Sequence, residues 1–299
     1  MIRLGICDCD TSHVVQFTRR LNHVDIEEEQ WVEGAQIVAA YPGTSEIVEQ
    51  ERINEYVEQL KGYGVEIVDS PEDLLGKVDG VLIESNEGGK HLHHAQVFLP
   101  KGVPCFIDKP FTCSVEDARA IAKMAEDAGV PVFSSSSLRY ALEVQKVTDG
   151  EEEFGKVVGA DAYSPASLHH RNPGLFHYGI HAVETLYALM GPGCEAVWCI
   201  FTAGAEQVVG LWKDERIGSI RGTRQGAHSY GFTAFCEKAV LPEKVNAAYI
   251  YRELLKRIVQ MFETGEAPLD INESIEIMAF IEAAMQSMQF DGKKVELVF

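Results

Sequence analysis

Phe106-Ile107-Asp108-Lys109-Pro110-Phe111 places a lysine just beyond a short apolar strand and follows it at once with a proline. About one βαβ unit earlier comes a second apolar run, Val78-Asp79-Gly80-Val81-Leu82-Ile83, and a helix opens soon afterwards at Ser114-Val115-Glu116-Asp117. Ligands of an open parallel sheet bind beyond the carboxyl ends of its strands, so a lysine at that point is predicted to face a site. Pro110 fixes its own φ and biases Lys109 toward extended backbone, which aims the side chain. Alone, a Lys-Pro pair reads as a solvated strand-to-helix loop; the wider context favours the other reading.

Strand and helix alternate to both sides. Residues 2–7, 35–41, 64–68, 78–83, 105–107 and 130–133 read as short apolar strands. Between them, Asp10, Thr11 and Ser12 offer N-caps for a helix to about residue 22. Residues 46–60 form a charged surface helix, and Ser70-Pro71-Glu72-Asp73 carries the cap, proline and acids of a helix start. A further helix spans 91–99. The one opening at Ser114 shows Val115, Ala118, Ile121 and Ala125 on one face and is closed by Gly129. Repeated βα units predict a doubly wound parallel sheet.

Beyond Tyr140 the pattern changes. Residues 157–163, 196–203, 206–212, 216–221 and 232–235 read as strands without helices between them, which predicts an α+β domain with a mostly antiparallel open sheet. Two closing helices, 251–265 and 272–290, carry apolar stripes that read as core. Ser134 to Ser137 reads as the crossover between domains.

The chain has 299 residues, enough for two domains, with a net charge of −20 that argues against nucleic acid or an anionic membrane as partner. No apolar run approaches the roughly 20 residues that span a bilayer. The first residues read as a strand and not as a signal peptide. Seven cysteines at irregular spacing suit a reducing compartment, and the expected location is cytoplasmic.

The stretch from Val78 to Tyr140 resembles the second half of the nucleotide-binding domain in the glucose–fructose oxidoreductase / inositol dehydrogenase / rhizopine-catabolism (Gfo/Idh/MocA) family. That family typically has Glu-Lys-Pro where Asp108-Lys109-Pro110 stands, and a histidine matched by His91. Ser137-Leu138-Arg139-Tyr140 resembles its exit into the second domain. Gly179-Ile180-His181, with Glu184 and Leu186, resembles its active-site helix, and the closing helices match weakly, so the likeness covers nearly the whole chain. It implies an NAD or NADP cofactor contacted by Gly5, Asp10, Thr11, Ser12, His13, Ser85, Asn86, His91 and Asp108.

One departure is marked. A dinucleotide fold is expected to carry G-x-G-x-x-G after its first strand, but this chain has Gly5-Ile6-Cys7-Asp8-Cys9-Asp10-Thr11-Ser12-His13. Only Gly5 has a counterpart, and Asp8 and Asp10 fall where a diphosphate would lie. No acid ends the second strand to hold a ribose diol. Asp8, Asp10, Ser12 and His13 could hold a metal, a polyol or an amine; equally, Asp10 or Ser12 could cap the helix while His13 packs beside it. Cys7 and Cys9 alternate across a strand end, which disfavours a shared zinc.

His177, His181 and Glu184 fall at i, i+4 and i+7, one face of a predicted helix. The resemblance implies that His177, where the family commonly has aspartate, and His181 line the substrate site. There His181 would accept a hydroxyl proton and Lys109 would polarise the developing carbonyl. Arg139, Glu184, His169 and His170 are candidate substrate contacts. A divalent-metal site on these histidines and Glu184 is an alternative, as is a structural role.

The expectation is thus a nucleotide-binding domain over 1–137 and a substrate and dimerisation domain over 138–299, with substrate in a cleft between them. The activity is NAD(P)-linked oxidation of a secondary hydroxyl on a sugar, cyclitol or related polyol, or its reverse, in a homodimer or higher homo-oligomer. The alternatives are a non-redox, metal-assisted enzyme and a silent binding protein on the same fold.

Overall fold

A computed structural model describes residues 1–299, which divide into two compact units. The first comprises Met1–Thr112, Glu116–Ser135 and Tyr251–Ile271; the second comprises Cys113–Val115, Ser136–Ile250 and Asn272–Phe299. A single boundary after residue 137 does not describe this division, because a late helix rejoins the first unit.

The first unit runs β1 (Ile2–Cys7), α1 (His13–Leu21), β2 (Ala35–Tyr41), α2 (Gln50–Gly62), β3 (Glu66–Ile67), β4 (Gly80–Ile83), α3 (His91–Phe98), β5 (Cys105–Ile107), α4 (Val115–Ala128) and β6 (Val132–Ser134). All pairings are parallel, in the order β3-β2-β1-β4-β5-β6. Every residue of β4 and β5 is buried, as the unbroken apolar runs require of strands covered on both faces. The strand order reverses between β1 and β4, and there the carboxyl edge opens a crevice. Two expected helices differ. Ser70 forms its capping box with Asp73, but only the single 3₁₀ turn Pro71–Leu74 follows. Helix α2 begins at Gln50, because Ser45 Oγ accepts from the amides of Ile47 and Val48 and holds a turn in place of helix.

The second unit continues with α5 (Leu142–Thr148), α6 (Glu151–Phe154), β7 (Val157–Pro165), α7 (Ile180–Met190), β8 (Cys194–Phe201), β9 (Ala205–Trp212), β10 (Ile217–Thr223), β11 (Gly231–Cys236) and β12 (Val240–Lys244); after α8 (Ile250–Thr264) come α9 (Ile271–Gln289) and β13 (Val295–Glu296). Its sheet has the order β12-β11-β7-β10-β9-β8-β13, antiparallel except between β7 and β10. One face is packed by α7 and α9: a Cβ on Gly218 would stand 3.0 Å from Leu186, and one on Gly210 3.1 Å from Phe280. Trp212 is buried in that core, where its indole donates to Gly191 O at 2.9 Å.

Helix α8 returns to the first unit. Phe262 lies over Gly80 of β4, Val259 and Glu263 over Gly34, and Tyr251 against the rings of His13 and Phe17. A Cβ at Gly80 would collide with the Phe262 ring. Gly80→Ala is therefore expected to destabilise the protein by about 1–3 kcal/mol, an overpacking cost. Adding Phe262→Leu is expected to restore part of the loss; denaturant melts of both variants measure the coupling.

Candidate functional site

Three loops meet at the carboxyl edge of the first sheet. Asp8, directly after β1, is in the left-handed region (φ 69°), where a glycine would be at ease. Its carboxylate is buried, accepts from Ser85 Oγ, and lies 2.9 Å from His94 Nε2 and 3.6 Å from Lys90 Nζ. Lys90 also donates to Thr44 O. Burial disfavours the Asp8 charge, but His94, Ser85 and Lys90 together hold its carboxyl below the usual range. Asp10 accepts from the Asn86 amide at 2.8 Å and Ser45 Oγ at 2.6 Å, and burial raises its pKa.

Both aspartates are thus committed to the loops beside them. Neither caps α1, and neither does Ser12, which is itself helical (φ −64°, ψ −15°) and makes no side-chain cap bond. The first turn of α1 therefore has no cap from Ser12, and Thr11 Oγ1 accepts from its His13 amide.

Several predicted cofactor contacts have structural work. Gly5 lies inside β1, and its missing side chain admits Leu74 and Val78. Ser85 braces Asp8, and the Asn86 side chain donates to Asp10 O at 2.9 Å. His91 is fully buried, its ring nitrogens 3.0 and 2.9 Å from the carbonyls of Phe111 and Ser85. Thr11 Oγ1 lies 3.4 Å from the His13 amide.

His13 turns from the loop into the sheet edge, stacked on Phe17 and edge-on to Tyr251. Its Nδ1 stands 2.9 Å from Asp108 Oδ2 and 3.7 Å from Glu84 Oε2. Glu84 follows β4 and Asp108 follows β5; both are fully buried. Lys109 is nearly buried, with Nζ 3.3 Å from Asp108 Oδ2, and its peptide bond to Pro110 is cis. Burial opposes the Asp108 charge, yet His13 and Lys109 hold that carboxyl well below the usual range. Burial, with Asp108 nearby, drives Glu84 the opposite way, well above it. Glu84 was not among the predicted site residues; the one signal for it is an acid placed directly after a wholly apolar strand.

In the second unit the expected histidine helix is shorter. Helix α7 starts at Ile180, and His177 precedes it, ending a 3₁₀ turn over Gly174–Phe176. His177, His181 and Glu184 therefore do not share one helical face. The His177 ring packs on His169 and Tyr178, while His169 Nδ1 accepts from the Arg171 amide at 3.2 Å. His169 and His170 lie ring to ring. His181 is nearly buried, its Nδ1 2.7 Å from Ser136 Oγ, with Tyr178 and Tyr230 edge-on to its ring.

Glu184 does not orient His181. It accepts from Arg139 Nε at 2.8 Å, and Arg139 Nη2 stands 2.7 Å from Glu273. All three are buried. Burial opposes the Arg139 charge, but Glu184 and Glu273 more than offset it and raise its pKa; burial raises that of Glu184. Arg139 and Glu184, expected to touch substrate, form an internal ion triad.

With this geometry in view, the sheet order of the first unit, the helix after β1 and the lysine after β5 define a dinucleotide-type fold. A family model described as "Oxidoreductase family, NAD-binding Rossmann fold" matches residues 18–136. No curated protein matches the chain in sequence. Solved structures match over its full length at low identity. A myo-inositol 2-dehydrogenase from Lactobacillus plantarum is 13% identical, with 99% of both chains covered and a TM-score of 0.81. A myo-inositol dehydrogenase from Corynebacterium glutamicum is 15% identical, with 100% of this chain and 99% of the other covered and a TM-score of 0.80. A myo-inositol dehydrogenase from Lactobacillus casei, in complex with NAD(H) and myo-inositol, is 13% identical, with 100% and 97% covered and a TM-score of 0.79.

The triad yields a test. Arg139→Met leaves two carboxylates buried without their cation and is expected to cost about 3–5 kcal/mol at neutral pH. With its cation gone, burial holds the folded pKa of Glu184 above its unfolded one, so the penalty appears as pH rises through the unfolded carboxylate range and vanishes below it. Urea melts at pH 4 and pH 7 are expected to bring the variant close to wild type only at the lower pH.

Proposed function

We propose that the chain is an NAD(P)-dependent oxidoreductase acting on a secondary hydroxyl or ketone of a sugar, cyclitol or related polyol. The observation that carries this reading is Lys109, held at the carboxyl end of β5 beside Asp108 in a sheet with the strand order of a dinucleotide fold. The N-terminus of α1, which Ser12 does not cap, fits a pyrophosphate, and the inward commitment of Asp8 and Asp10 keeps both acids occupied with neighbouring loops. The inositol complex of the Lactobacillus casei relative supports the substrate class. Seven unpaired cysteines favour a reducing, cytoplasmic setting.

When bound, the nicotinamide supplies the hydride acceptor or donor. Lys109 supplies a fixed positive charge that holds the hydroxyl and stabilises a carbonyl oxygen as its charge develops. Asp108 keeps the ammonium in place. In the second unit His181, its ring oriented through Nδ1 by Ser136, is the candidate general base. Lys109→Met is expected to lower turnover by at least about 100-fold while leaving the protein folded by circular dichroism. Fluorescence titration is expected to detect NADH or NADPH binding to the wild-type chain; a folded protein that binds neither refutes the redox reading.

The outer face of the second sheet favours a homodimer. Leu211, Ile217, Phe235 and Val240 lie in one cross-strand row, with Trp198 and Val209 in the next, and Ile200 and Ile217 are 71% and 58% exposed. A broad apolar row on a sheet face is self-complementary about a two-fold axis. Trp212 and Val208, on the opposite face, belong to the core. Ile217→Glu is expected to yield a folded monomer by light scattering, whereas a monomeric wild type at micromolar concentration overturns the dimer.

A further inference from the structure

We propose that His13, Glu84 and Asp108 form a binding site for one divalent transition-metal ion at the switch point of the first sheet. The three side chains come from the carboxyl ends of adjacent strands: His13 follows the β1 loop, Glu84 follows β4 and Asp108 follows β5. Their donor atoms all lie within 4.8 Å of one another. A metal with ligands at about 2.1 Å separates neighbouring donors by about 3.0 Å in octahedral and about 3.4 Å in tetrahedral geometry. The observed spacings of 2.9 Å and 3.7 Å from His13 Nδ1 bracket those values.

A second observation points to a ligand independently of the clustering. Glu84 is 0% exposed, and neither of its carboxylate oxygens has a hydrogen-bond partner. Asp108 Oδ1 also has none, and His13 Nδ1 stands 2.9 Å from Oδ2. Buried carboxylate oxygens are almost always satisfied, so this concentration of unsatisfied donors aimed at one point calls for an occupant. Lys109 Nζ stands 3.3 Å from Asp108 Oδ2, the same oxygen that faces His13 Nδ1, which places the ammonium in an outer shell of the site. One nitrogen and two carboxylate donors suit Zn²⁺, Co²⁺, Fe²⁺ or Mn²⁺ and disfavour the soft Cu⁺. The second compact cluster, Cys7, Asp8 and His94, is a weaker candidate, because Asp8 is already met by Ser85, His94 and Lys90. The metal site stands or falls separately from the redox reading.

Isothermal titration of the chelator-stripped full chain with ZnCl₂ and with MnCl₂ tests it. The expected result is one ion per chain with at least one of the two metals at micromolar affinity, weakened by at least about 100-fold in both Glu84→Gln and His13→Gln. Glu84→Gln keeps the shape and replaces a carboxyl that burial already holds against ionisation, so this variant is expected to melt no lower than wild type without metal. If that variant fails to fold, His13→Gln decides. A His169→Gln/His170→Gln variant is expected to retain full binding, which separates the site from surface histidines. Absence of binding with both metals, binding undiminished in the folded Glu84→Gln or His13→Gln variant, or loss of binding with the His169/His170 pair overturns the proposal. Dinucleotide titration of the same samples keeps its failure distinct from failure of the oxidoreductase reading.

Discussion

A carboxylate buried where the chain leaves β1 constrains the whole carboxyl edge of the first sheet. Asp8 holds a left-handed backbone, which costs a non-glycine residue about 1–2 kcal/mol, and regains it through Ser85, His94 and Lys90. Those partners belong to the segment after β4 and to α3. Lys90 carries the link on to the loop after β2 through Thr44. Gly43 in that loop lies against the Asp8 carboxylate, where any side chain would collide, and itself has φ 65°. One acid thus fixes the relative positions of three loops, and Asp10 repeats the device through Asn86 and Ser45. The same fixation delivers His13 to the sheet edge, opposite Glu84 and Asp108.

Much of this architecture was legible in the order of residues. Apolar runs of three to six with caps and glycines between them announce parallel βα units, and Lys109 after such a run announces the edge at which ligands bind. The strands of the second unit followed from a run of strand segments without helices between them, and on β9 buried Val208 and Trp212 alternate with half-buried Val209 and Leu211. What could not be read were pairings over long sequence distances. Nothing near Arg139 signals Glu184 or Glu273, so a buried cation with two buried partners resembled a substrate contact. His177 fell on a helical spacing, yet Gly179 and the preceding 3₁₀ turn delay the helix until Ile180.

The aspartates of the β1 loop show the same limit in another form. Their charges were read as facing outward because the fingerprint they replace faces outward. A turn residue with a left-handed backbone can carry its side chain inward when a hydroxyl and cations wait there, and only the folded loops reveal that they do. The dinucleotide question accordingly shifts from charge repulsion to how the amides of α1 are presented.

The return of α8 to the first unit bears on how the chain is made. Translation delivers residues in order at about 5–20 per second, and the first unit lacks its last piece until Tyr251–Ile271 has emerged. Between Ser135 and that helix the ribosome must add the better part of a second unit, a delay of roughly six to twenty-three seconds at those rates. Throughout it, the surface that Phe262 and Val259 will cover around Gly80 and Gly34 stays wet and available to other chains. The nascent protein therefore passes through a stage in which its first unit is unfinished in space, and that stage is where a chaperone would find most to hold.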